Sequence, residues 1–95
     1  MPTQRLVLQS PEGEVVLRVT SGVPLGPLLQ ITLPDGRDLM VAAYPGDGWR
    51  CLPPRGRRLA PSPANAVSGA TGWGPDRHPW LLALDEVARP GARPA

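Results

Sequence analysis

Arg50, Arg55, Arg57 and Arg58 fall in one short stretch, and PRGRR places three guanidiniums within four residues. A guanidinium is a planar fork of N–H donors that matches the oxygens of a carboxylate or a phosphate. On a loop, such a run can engage adjacent phosphates or an acidic protein surface, with the steep salt dependence that counterion release imposes. The competing reading is a solvated loop that keeps the chain soluble. No aromatic residue lies inside the run to stack on bases, and no nucleic-acid motif frames it.

The second concentration of chemistry is WGPDRHPW at 73–80, where two tryptophans bracket the chain's single histidine. Arg77 over either indole would gain about 0.5–2 kcal/mol. An exposed Trp73 beside Arg77 would suit a protein partner, since interface hot spots favour Trp and Arg. Trp80 reads differently. The chain has no Phe, and Tyr44, Trp49, Trp73 and Trp80 are its only aromatics. Tryptophan is then the remaining large core filler, and Trp80 is expected to anchor the last element.

Catalysis finds little support. Cys51, His78 and either Asp76 or Asp85 could formally make a nucleophile, base and orienting acid, but nucleophilic catalysis requires mutual hydrogen-bond reach and an oxyanion site. One residue of each type scattered along the chain does not supply that. One Cys and one His fall short of any structural zinc pattern. GATGWG at 69–74 fits neither a dinucleotide fingerprint nor a P-loop and reads as a connector. Asp85 and Glu86 point to different sides of either a helix or a strand and read as a solvated face. The expectation is a protein without catalytic residues, metal or cofactor, and without an indicated small-molecule substrate.

Every basic residue is arginine, which together with abundant Gly, Ala and Pro resembles the codon bias of a GC-rich bacterial or phage genome. The net charge of +2 is unevenly spread. Residues 1–48 carry three arginines against five carboxylates, and residues 49–95 carry seven against three. A basic second half attracts acidic partners without demanding them. The lone Cys51 cannot form an internal disulfide. MPTQRLVLQS lacks the pattern of a secretion signal, and no window is long and apolar enough to span a bilayer. The expected setting is the cytoplasm, or a virion assembled there.

Five strands are predicted to position these groups. RLVLQ and EVVLRVT alternate around the turn PEG and read as a hairpin, with Val15, Leu17 and Val19 on one face. LLQITL and DLMVAAY flank PDGR, whose Asp-Gly pair favours a tight turn, and make a second hairpin. WRCL is a candidate fifth strand with Trp49 and Cys51 on one face. From residue 53 the pattern changes. Prolines 53, 54, 61, 63, 75 and 79 exclude a long helix or central strand, leaving at most a helical turn at SPANAV capped by Ser62. PWLLALDEVAR then favours a helix by propensity, although Trp80, Leu82 and Leu84 alternate as a strand would.

The reading is a mainly β protein: a small antiparallel sheet or partly closed barrel of about five strands, built from two hairpins. A long Pro/Gly/Arg-rich loop and a short C-terminal helix follow, a strand being the alternative for that last element. Residues 1–52 form the β body, 53–79 an arm and 80–95 the final element and tail, all one domain. The function expected is non-enzymatic protein binding or assembly, with the arm ordering on a partner that is another protein or further copies of itself. The alternative is a small nucleic-acid-binding protein contacting phosphates through Arg50, Arg55, Arg57 and Arg58.

Overall fold

Period-two alternation of apolar and polar residues carries the first half of the chain into strands, as the pleat requires. The computed structural model describes residues 3–21, 27–44, 48–52 and 59–88. Its strands are β1 (Thr3–Ser10), β2 (Gly13–Thr20), β3 (Leu28–Thr32), β4 (Asp38–Tyr44) and β5 (Gly48–Leu52). They form one antiparallel meander in the order β1-β2-β3-β4-β5. The described strands leave β1 and β5 as opposite edges, so the sheet is open and the barrel alternative is set aside.

Register joins the apolar positions into continuous rows. Val19, Leu29, Val41 and Cys51 are successive cross-strand neighbours, and so are Leu17, Ile31 and Leu39. All seven are buried on one face. The β3–β4 turn closes with Leu33 N–H donating to the Arg37 carbonyl at 2.8 Å and Gly36 N–H donating to Leu33 at 2.9 Å. Gly36 takes a φ of +92°, the left-handed region in which glycine is least strained. The Arg37 backbone N–H donates to Asp35 at 3.0 Å, and this bond helps hold the Asp35 carboxyl below its usual range.

The arm expected over 53–79 holds a helix. Helix α1 spans Pro63–Thr71, longer than the single turn anticipated, and it belongs to the core. The prolines explain the difference by their placement. Pro63 takes the first helical position, where its missing N–H costs nothing, and the next proline is beyond the helix end. Ser62 caps the start by accepting from Asn65 N–H at 3.2 Å. Gly72, at φ +80°, ends the helix by donating to the Ser68 carbonyl at 2.8 Å. Val67, Ala64 and Ala66 face inward. Residues 53–58 lie outside the described residues.

Helix α2 (Leu81–Ala88) decides the choice between helix and strand at the C-terminal element. Leu81 and Leu84 are fully buried three positions apart, while Leu82 between them is 54% exposed, which strand alternation would not give. Asp85 of α2 reaches the start of α1 and accepts from Ala64 N–H at 2.9 Å. One carboxylate thus satisfies a free donor at the positive end of α1 and ties the helices together. α1 also packs on β4 and β5, and the buried residues of both helices share one cluster with the buried sheet face. No described element packs on the other face. Among the described residues, no helix is long and apolar enough to cross a membrane.

Candidate functional site

Two surfaces gather candidate side chains, one at each face of the sheet. The first is built by WGPDRHPW. Gly74 accepts backbone N–H bonds from Arg77 at 3.3 Å and His78 at 2.9 Å, so the chain turns back sharply. Ser68 hydroxyl donates to the Trp73 carbonyl, and Trp73 N–H donates to Thr71 Oγ1 at 3.1 Å, fixing Trp73 to the end of α1. The turn stacks His78 on Trp73 with centroids 4.7 Å apart and planes 17° from parallel. Trp80 stands edge-on to both rings. Its indole N–H donates to His78 Nδ1 at 3.3 Å.

These rings wall a cavity of about 180 Å³ that opens toward the two hairpin turns. Val15, Leu33 and Pro34 add apolar surface, while Ser10, Glu12, Asp35 and Arg37 supply polar groups. Arg37 Nε is engaged by Asp35 at 2.7 Å. Arg77 does not stack on either indole, a contact its spacing allows. Arg77 is exposed, and the aromatic partner of Trp73 is His78. A flat imidazole held two residues from Trp80 by the turn reaches the Trp73 face, whereas the Arg77 side chain points to solvent. Sequence spacing marked this cluster, but the contribution of the Ser10–Gly13 and Leu33–Arg37 turns had no local signal.

The second surface is the uncovered sheet face. Arg5 of β1 and Arg18 of β2 are direct cross-strand partners there, and neither has a carboxylate within salt-bridge distance among the described residues. Gln30, Met40 and Leu52 continue the same row across β3, β4 and β5. A shallow depression of about 420 Å³ runs along it, lined by Arg18, Gln30, Thr32, Asp38, Leu39, Met40 and Leu52. Arg50 is in the neighbouring row, with its guanidinium carbon 5.1 Å from the centre of the Tyr44 ring. Its Nε is buried without a hydrogen-bond partner among the described residues. Arg55, Arg57 and Arg58 lie outside the described residues, so of the arginine run only Arg50 is placed.

Cys51, His78 and the two aspartates are not brought together as a catalytic set. Cys51 lies in the buried row between sheet and helices, where burial pushes its thiol up to about 11. A nucleophilic cysteine requires the opposite shift. Asp85 is engaged at α1, and Asp76 is exposed. Cys51 is therefore expected to resist thiol reagents in the native protein and to react at the ordinary rate once unfolded. The raised folded value also predicts stability that is complete below the unfolded thiol's pKa and falls as pH rises from about 9 toward about 11. Alkylation kinetics, and urea unfolding at several alkaline pH values with Cys51→Ala as control, check both outcomes.

No protein-family model matches the chain, and neither does any curated protein or any solved structure.

Proposed function

We propose that this chain is a non-enzymatic protein-binding or assembly module, of bacterial or phage cytoplasmic origin, that receives an acidic partner on its uncovered sheet face. The observation that carries this reading is the Arg5–Arg18 neighbourhood, which has no carboxylate partner among the described residues. Like charges directly opposite on adjacent strands destabilise a sheet by roughly 0.2–1 kcal/mol. A partner's carboxylates would convert that repulsion into attraction, and apolar Met40 and Leu52 along the same row offer contact area. The PRGRR run follows β5 directly in sequence and extends the cationic character of this part of the chain. Further copies of the chain are the other partner this reading allows, supported by the outer edge of β1, with which no described strand pairs.

The test separates binding from folding. Arg18→Ala should leave thermal stability equal or slightly raised, since it relieves repulsion. The Arg5→Ala/Arg18→Ala pair should weaken binding of a labelled poly-glutamate peptide roughly tenfold, in proportion to the lost charge-assisted contacts. Fluorescence anisotropy at two salt concentrations reads both. Absence of peptide binding at low salt would sink the reading. Tighter binding of single- or double-stranded nucleic acid than of the peptide would move the assignment to the nucleic-acid alternative.

A further inference from the structure

His78 is a buried polar side chain with half of its hydrogen-bonding capacity unused. Only 6% of the residue is exposed, and its Nδ1 accepts from the Trp80 indole. In the neutral ring that bond places the proton on Nε2. Nε2 has no hydrogen-bond partner among the described residues, although His78 lines the aromatic cavity. That N–H is open to solvent rather than sealed in the core, and so it is available to a ligand. The Trp73 indole N–H, on the same wall, is likewise without a partner among the described residues.

The polar capacity of the aromatic wall is thus donor-only, beside an apolar floor of Val15, Leu33 and Pro34. Its complement carries an acceptor on an apolar body and brings no N–H of its own. The rim sets the charge. Arg37 is neutralised by Asp35, and Glu12 leaves one excess negative charge, which disfavours a carboxylate ligand and favours a neutral carbonyl with a basic neighbour. Proline in an extended peptide meets these conditions. Its ring is apolar, its nitrogen has no hydrogen, and the preceding carbonyl accepts. Extended proline segments are also pre-organised, so aromatic-lined sites bind them at low entropic cost.

From this geometry we propose that the Trp73–His78–Trp80 cavity binds a proline-containing extended peptide with a basic flank. The proline ring packs against Trp73, the preceding carbonyl accepts from His78 Nε2–H, and the flanking cation faces Glu12. This site is on the helical side of the sheet and is independent of the Arg5–Arg18 surface.

The experiment titrates the full chain with a capped Arg-Pro-Pro-Leu-Pro-Pro peptide while recording ¹H–¹⁵N spectra of the indole and imidazole N–H groups. Saturable shifts of the Trp73 and His78 signals are expected, with the same peptide carrying alanine for proline shifting them far less. His78→Phe, which retains a flat ring, should weaken binding roughly tenfold, the value of about one hydrogen bond. Glu12→Gln changes an exposed side chain, remains informative if His78→Phe is unstable, and should weaken the basic peptide while reducing its salt dependence. Equal binding of the alanine peptide, no shift at either ring, or undiminished binding by both variants would each overturn the proposal.

Discussion

Replacing Trp80 with alanine is expected to lower stability by about 3–5 kcal/mol, the cost of deleting a large buried aromatic side chain. Trp80 is 4% exposed and belongs to the cluster that joins the sheet to both helices. Its removal also leaves His78 Nδ1 without its donor and strips an edge contact from Trp73. A domain of this size has roughly 5–15 kcal/mol in total, so the loss takes a large share. The melting temperature should fall on the order of 20 °C. Urea unfolding followed by far-UV circular dichroism reads the change without relying on tryptophan emission. A loss below about 1 kcal/mol would mean that Trp80 is not the anchor of α2.

Gly48→Ala is the second large effect, although it adds only a methyl group. Gly48 takes a φ of +131°, and a Cβ built there collides with the Ala60 carbonyl oxygen. That oxygen accepts from Trp49 N–H at 2.8 Å, and Ala60 N–H donates back to the Trp49 carbonyl at 2.8 Å. The two bonds hold the lead-in to α1 against β5, where the backbone passes too closely for any side chain. The substitution combines backbone strain with loss of this bridge, for an expected cost of about 2–4 kcal/mol. Gly36→Ala is the control. Its φ is also positive, at +92°, but nothing lies within 4 Å of the added carbon. It should cost only the local strain of about 1–2 kcal/mol. Equal losses at the two positions would show that close approach at Ala60 contributes nothing.

The two substitutions bear on different levels of legibility. Trp80 could be assigned to the core from composition alone, because a chain without Phe has few ways to fill a large volume. Gly48 could not, since YPGDGW reads as a turn whichever glycine takes the close contact. The same division holds for the site. WGPDRHPW stood out as a cluster, but the stack of His78 on Trp73 depends on a turn closed at Gly74 and on α1 holding Trp73 in place. The Arg5–Arg18 pair is not legible in the sequence, because thirteen positions separate them and only the β1–β2 register sets them opposite.

Local alternation and turn chemistry were enough to determine five strands, their hairpin pairing and their inward faces, since strand periodicity and Asp-Gly turns act over a few residues. The same locality identified Ser62 and Pro63 as a helix start. It understated α1, because a high proline count suggested a loop while the burial of Val67 against β5 and α2 is a long-range gain. Tertiary structure settled the C-terminal element as the helix that propensity favoured over strand alternation. It also opened the sheet, gave Asp85 to the start of α1, and turned a lone histidine into the wall of a cavity. Each of those outcomes depends on which distant surfaces meet, and burial energy there outweighs the preferences written into neighbouring residues.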